Sequence, residues 1–174
     1  MLYGALLPSG NDACAAIAVH MSGSIEAFAD TMNQEAAALG ATGTHFVNPH
    51  GLSDENHYTT AYDIYLILNE VSKYDKFMEI FTTRSREVSY TKADGSPTSA
   101  VYSISCWYFT GNTEAPEGVI PLGGKTGTTT PAKYCLALLS QDAEGKQYIS
   151  VVLKAKNRQA LYQNMNRLLE KIYP

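Results

Sequence analysis

The sequence predicts an α+β fold, and three observations carry the prediction. Helix-period patterns fill residues 1–82. Three apolar, strand-like runs follow at 119–127, 133–140 and 147–154, separated by turn residues. One amphipathic helix closes the chain. Helices first, strands next and a single helix last is the pattern of a helical lobe set beside an antiparallel sheet. The 174 residues suit one domain with enough chain for a real core. The helical lobe is expected over about 1–82, and the sheet with its final helix over about 83–174. Apolar residues at 45% against 17% charged make the chain globular rather than disordered. The net charge is −4 and no basic stripe is present, so neither nucleic acid nor an anionic membrane surface is an expected partner. No apolar run approaches the ~20 residues of a transmembrane helix.

The elements are taken in order. Residues 2–7 read as a last helical turn stopped by Pro8, and Ser9-Gly10 as a turn. Asn11 or Asp12 is expected to cap a helix running to about His20 and closed by Gly23. Ser24 caps the next helix, with Glu26 in its first turn. Phe28, Met32, Ala36 and Leu39 form its apolar face, and Gly40 its stop. Residues 41–58 are a long polar loop around Asn48-Pro49-His50-Gly51. His45, His50 and His57 put no pair on one helical face, and no Cys or acidic ligand is arranged with them. No metal is expected there, and side-chain hydrogen bonds are expected to hold the loop. Thr60 and Asp63 form a capping box for a helix whose apolar face is Ile64, Tyr65, Leu68 and Val71. A shorter helix comes next at 76–81.

Residues 88–91 read as a strand and Asp94-Gly95-Ser96-Pro97 as a turn. The 102–109 stretch, with the only tryptophan, Trp107, reads as strand or loop, and 112–118 as a polar loop. The three later strands read as an antiparallel meander. Asn157 caps the last helix, with Leu161, Tyr162, Met165, Leu168, Leu169 and Ile172 on its inner face. Cys14, Cys106 and Cys135 lack metal-type spacing. Cys14 and Cys135 sit in apolar runs and read as small buried hydrophobes.

The stretch most loaded with chemistry is Gly123-Gly124-Lys125-Thr126-Gly127-Thr128, between two strand-like runs. It puts a cation, hydroxyls and bare backbone together. A Gly-rich hairpin turn with a solvated lysine is one reading. A phosphate-binding loop is another, but it needs Gly, four residues, then Gly-Lys-Ser/Thr, and Val119 stands where the first Gly belongs. That motif must also open a helix, which Thr128-Thr129-Thr130-Pro131 does not. A third reading is the Lys-Thr-Gly strand of penicillin-binding proteins and serine β-lactamases. It calls for a Ser-x-Asn partner upstream at a helix start, and Ser9-Gly10-Asn11 is there.

Four segments in order then carry a family resemblance: Leu6-Leu7-Pro8-Ser9-Gly10-Asn11-Asp12-Ala13, Thr44-His45-Phe46-Val47-Asn48-Pro49-His50-Gly51-Leu52, Tyr58-Thr59-Thr60-Ala61-Tyr62-Asp63 and Gly124-Lys125-Thr126-Gly127. With them the chain resembles the serine D-alanyl-D-alanine carboxypeptidases, the low-molecular-weight penicillin-binding proteins, from its first residues to about Tyr173. The resemblance implies the β-lactamase/penicillin-binding-protein fold, incomplete at the N-terminus. It implies a peptidoglycan stem peptide ending in D-Ala-D-Ala as substrate, β-lactams as ligands, no cofactor, and an extracytoplasmic location. In this family a serine attacks the carbonyl between the two D-alanines and forms an acyl-enzyme that water hydrolyses. Ser9 matches the serine that relays a proton to the leaving amine, since a hydroxyl both donates and accepts. Asn11 matches the asparagine that orients the base lysine and holds the substrate backbone. Lys125 matches the lysine that favours the substrate's carboxylate and helps keep the base lysine neutral. Thr126 and Thr128 add hydroxyls, and Gly127 lets the substrate lie along the strand edge as an extra strand. The backbone N–H of Thr128 matches half of the oxyanion hole, whose donors are worth about 3–4 kcal/mol each in the barrier.

The match fails at the nucleophile. Its Ser-x-x-Lys precedes Ser-x-Asn in the family, and no serine stands before Ser9. Ser89-Tyr90-Thr91-Lys92 has the spacing but lies in an expected strand, where positions three apart face opposite ways. The chain therefore reads as the back portion of a catalytic domain, with no signal peptide and no nucleophile, inactive alone. Lost strands are expected to leave a sheet edge uncovered and prone to self-association. Tyr173-Pro174 reads as the boundary at which the catalytic domain ends. Two competitors are a serine β-lactamase fragment, for which the acidic loop is not evident, and a non-catalytic cell-wall-peptide-binding module.

Overall fold

The structure, a computed structural model, describes residues 1–172. The expected end of the resemblance at Tyr173 and the boundary at Tyr173-Pro174 lie outside the described residues. The first helix, α1 (Leu2–Leu6), stops before Pro8. Its exit is tight: the Leu7 N–H donates to Tyr3 O and the Gly10 N–H to Gly4 O at 2.9 Å. This return sets the start of α2 (Asn11–Ser22) and corrects the expected cap. Gly10, not Asn11 or Asp12, is the N-cap, and the Asp12 carboxylate accepts from the Ala13 N–H instead. A Cβ on Gly10 would stand 3.0 Å from Gly4 O, so a capping side chain has no room.

Local chemistry decides the next elements. Ser24 Oγ accepts from the Ala27 N–H and starts α3 (Ile25–Ala38). Gly40 comes after it with φ +81, a left-handed turn suited to glycine, and the Ala41 N–H closes back on Ala36 O. Thr60 Oγ1 accepts from the Asp63 N–H at the start of α4 (Ala61–Val71). The buried Asp63 carboxylate accepts from the Thr44 hydroxyl at 2.7 Å, tying the helix to the long loop. Tyr65 departs from the expected apolar face: it is exposed, beside Tyr62. α5 (Asp75–Phe81) completes the helical part.

The second half differs from expectation at its start. β1 (Ser85–Thr91) and β2 (Pro97–Ser103) form an antiparallel hairpin with Val88 opposite Ala100. The 102–109 stretch is neither strand nor loop throughout. It ends β2 and then forms the one-turn α6 (Trp107–Thr110). The Trp107 N–H donates to Tyr162 Oη at 2.8 Å and the two rings stack at 4.9 Å, so tertiary contact imposes that turn.

The meander stands as expected: β3 (Ile120–Thr129), β4 (Lys133–Gln141) and β5 (Gln147–Ala155) pair antiparallel in that order. Asn157 Oδ1 caps α7 (Arg158–Leu169) by accepting from the Ala160 N–H. Leu136 and Leu138 pack with Leu161, Tyr162, Met165 and Leu169 of α7. Leu139 packs with Leu68 of α4 and Phe81 of α5. The period-2 alternation of β4 thus buries both faces, with α7 on one side of the sheet and α4 and α5 on the other. Leu168 is exposed, off the expected face. Among the cysteines the fully buried one is Cys106, while Cys14 and Cys135 are half-buried.

Two motif glycines are packing glycines. A Cβ on Gly123 would meet the Phe81 ring at 2.5 Å and Phe81 O at 2.8 Å; one on Gly124 would meet Cys106 Sγ at 3.2 Å. Around Gly127 there is nothing within 4 Å. Gly123→Ala is therefore expected to destabilise by about 1–3 kcal/mol, the usual cost of overpacking, while Gly127→Ala changes the midpoint of urea unfolding far less. Equal shifts in the two variants would refute the assignment.

Candidate active site

The site is built where the α1–α2 turn meets β3. Ser9 stands in that turn with φ +58, a left-handed conformation uncommon outside glycine. The Gly10–Gly4 backbone bond and buried Leu7 hold it there. Ser9 is exposed, and Lys125 of β3 donates to its hydroxyl at 2.7 Å. The same ammonium donates to Thr126 O at 2.8 Å. Two of the expected residues, 116 apart in sequence, thus meet directly. Asn11 is exposed at the first position of α2, two residues beyond Ser9. Thr126 Oγ1 bonds to Ser105 Oγ at 3.0 Å, while Gly127 and Thr128 are exposed toward the end of β3.

Electrostatics at this point are unbalanced. Among the described residues the salt bridges are Glu70–Lys73 and Glu79–Lys76. Among the described residues Lys125 is bonded to no carboxylate, only to neutral oxygens. Burial holds its pKa below lysine's ordinary 10.5. Cys14, one turn into α2, lies near it, but burial pushes that thiol up, so it supplies no counter-charge at neutral pH. A half-buried ammonium held by neutral acceptors next to an open strand edge is a ready site for a carboxylate. Among the described residues no cluster of His, Cys, Asp and Glu could hold a metal ion. Ser89 and Lys92 fall on β1 and in the turn after it, far in the chain from any helix start.

The model for D-alanyl-D-alanine carboxypeptidase, peptidase S11, matches residues 1–157. The chain belongs to this family. The D-alanyl-D-alanine carboxypeptidase DacF of Bacillus subtilis is 33% identical over 98% of the chain, and DacC of Escherichia coli is 32% identical over 95%. Those stretches are only 41% and 38% of the two relatives, so the chain spans well under half of their length. Among solved structures, the Streptomyces K15 DD-transpeptidase superposes with a TM-score of 0.86 at 26% identity, over 97% of this chain and 64% of that one. A D-alanyl-D-alanine carboxypeptidase of Mycobacterium tuberculosis gives 0.79 at 25% identity, over 97% and 61%. The S11 membership accounts for the α+β architecture with its antiparallel sheet. No helix among the described residues is long and apolar enough to cross a membrane.

Sequence reasoning missed three residues at this candidate site. Ser105 reaches Thr126 through the β2–α6 connection, and no sequence pattern announces it. Ser53 Oγ donates to Thr129 Oγ1 at 2.7 Å and pins the long loop to β3. Cys14 read only as an apolar-run residue, although its spacing from Gly10 puts it one helical turn away on the same side. The loop itself is held as expected. Asn33 exchanges two bonds with the Phe46 backbone, Asn48 binds Gly51 N–H and Leu52 O, and His57 Nδ1 accepts from the Val47 N–H.

The lowered pKa of Lys125 has a definite pH signature. Between its folded value and 10.5 the unfolded chain binds more protons, so its contribution to stability rises with pH across that window and is flat below it. Subtracting Lys125→Met unfolding curves from wild type between pH 7 and 10.5 is expected to show that rise. A flat difference would mean the ammonium is not desolvated.

Proposed function

We propose that this chain supplies the substrate-positioning part of a D-Ala-D-Ala carboxypeptidase acting on peptidoglycan stem peptides through a serine acyl-enzyme. The observation that carries the reading is the Lys125 ammonium, half-buried without a carboxylate, bonded to Ser9 and set on an open strand edge. A peptide's C-terminal carboxylate supplies the missing charge. Thr126 and Thr128 add hydroxyl donors, and Gly127 leaves the edge free for the peptide backbone to pair. Ser9, bonded to a protonated lysine, is placed to pass a proton to a departing amine. Asn11 offers an amide at the same helix start, and the Thr128 N–H one donor for an oxyanion. β-Lactams carry an anionic group in place of that carboxylate and belong to the same ligand class. The location that goes with this substrate is extracytoplasmic.

In this reading residues 1–174 carry no nucleophile of their own. Intact-mass analysis after incubation with a penicillin is expected to show no acyl adduct, and an adduct would sink this part of the proposal. Binding is expected to remain. By NMR titration, an N-acylated tripeptide ending in D-Ala-D-Ala should bind at least about tenfold more tightly than its C-terminal amide, the worth of one charge-assisted hydrogen bond. Lys125→Met should abolish the difference, and a preference that survives the substitution would rule out Lys125 as the carboxylate's partner. β5 lies at one edge of the three-stranded sheet. Self-association through that edge is part of the same proposal, and a strictly monomeric chain at high concentration in sedimentation would count against it.

A further inference from the structure

The Thr126 hydroxyl does not stand alone on β3. Its Oγ1 lies 3.0 Å from Ser105 Oγ, in the connection between β2 and α6. The contact follows from the alternation of the strand. Gly124, two residues before Thr126, would aim a Cβ at Cys106 Sγ, so Thr126 shares the side of β3 that carries this connection. Lys125 has the opposite parity and shares its side with Gly123, whose Cβ would meet Phe81. β3 is an edge strand of its sheet. A carboxylate on its open edge is therefore reached from both faces, by Lys125 with Ser9 from one and by Thr126 from the other.

Ser105 is exposed, yet its neighbours fix its backbone. Ile104 donates its N–H to Arg84 O at 3.0 Å and packs on the α7 core. Cys106 is fully buried in that core, and Tyr162 Oη takes the Trp107 N–H. The serine is thus anchored on both sides, and its oxygen stands at a set place beside Thr126.

The pair acquires a direction once an anion is present. Each hydroxyl has one proton to donate and two lone pairs. One proton lies between the two oxygens, and either oxygen can supply it. If Thr126 donates to Ser105, its proton is spent, and only lone pairs face a carboxylate that can do nothing but accept. If Ser105 donates to Thr126, the Thr126 proton is free for the carboxylate, and the bond it receives polarises it. An anion selects the second arrangement.

We propose that Ser105 is a positioning residue for carboxylate recognition: it donates to Thr126 Oγ1 and so reserves the Thr126 proton for the ligand's carboxylate. The inference rests on the carboxylate-binding reading of Lys125 given above and adds the residue that sets the direction of the second donor. Without Ser105 the Thr126 hydroxyl turns freely among water partners and loses part of its donor strength.

The test is an NMR titration of the chain with the N-acylated tripeptide ending in D-Ala-D-Ala and with its C-terminal amide. Ser105→Ala is expected to weaken binding of the carboxylate peptide about threefold to tenfold, the net worth of one hydrogen bond. The neutral amide should weaken by less than about twofold, because bonds to charged groups are the stronger ones. Ser105→Thr keeps the hydroxyl and should restore the wild-type preference. In a Thr126→Val background Ser105→Ala should cost nothing further, since the relay has lost its other member. A loss shared equally by both peptides, or one that persists in the Thr126→Val background, would overturn the role of Ser105. Lys125→Met abolishing the preference would still leave the Lys125 reading intact. If wild type does not prefer the carboxylate peptide, the Lys125 reading fails and this inference falls with it.

Discussion

The candidate site is arranged around a half-buried charge that, among the described residues, no opposite charge pairs. Lys125 is a half-buried ammonium satisfied by Ser9 Oγ and Thr126 O, both neutral. Burial of a cation without an anion costs stability, and its depressed pKa records that cost. A protein that needed only to fold would place an apolar side chain or a carboxylate there. Retaining the charge with an open strand edge beside it makes sense when the counter-ion arrives with a ligand. The neutral Cys14 thiol nearby belongs to the same logic, since it adds bulk without adding charge.

Holding that charge in place takes both halves of the chain. The glycines at 123 and 124 give up side chains so that Phe81 and Cys106 can press against β3. The strand is thereby clamped between α5 on one face and the α7 core on the other. Only at Gly127 does the absence of a side chain leave real space. The same six-residue stretch is thus rigid at its start and accessible at its end, which suits a platform for pairing with an incoming peptide.

Much of this was legible in the sequence, for identifiable reasons. Ser24, Thr60 and Asn157 announce their helices because a cap is a local interaction spanning three residues. The meander showed because β4 alternates between two cores. Ser9 and Lys125 were found through motif order rather than proximity. What escaped was set by distant contacts. β2 has every second residue exposed and no strong apolar face, so its strand signal is weak. α6 exists because Tyr162, 55 residues away, takes its first N–H. Gly10 replaced the expected polar cap because Gly4 O is too close, a clash no local pattern encodes. Ser53 and Ser105 lie in unremarkable loops and become part of the site only through folding.

The Ser9–Lys125 bond also bears on how the molecule acquires its site. It closes a loop of 116 residues, among the longest-range contacts in the chain. Loop-closure entropy grows only as the logarithm of length, so the thermodynamic penalty over a short loop is a few kcal/mol at most. The kinetic effect is larger, because such contacts form late. A nascent chain emerging N-terminus first folds its helices long before β3 exists. Ser9 has no Lys125 to bond until then. The Ser9–Lys125 pair consequently exists only once the sheet has docked on the helices that carry the Ser9 turn.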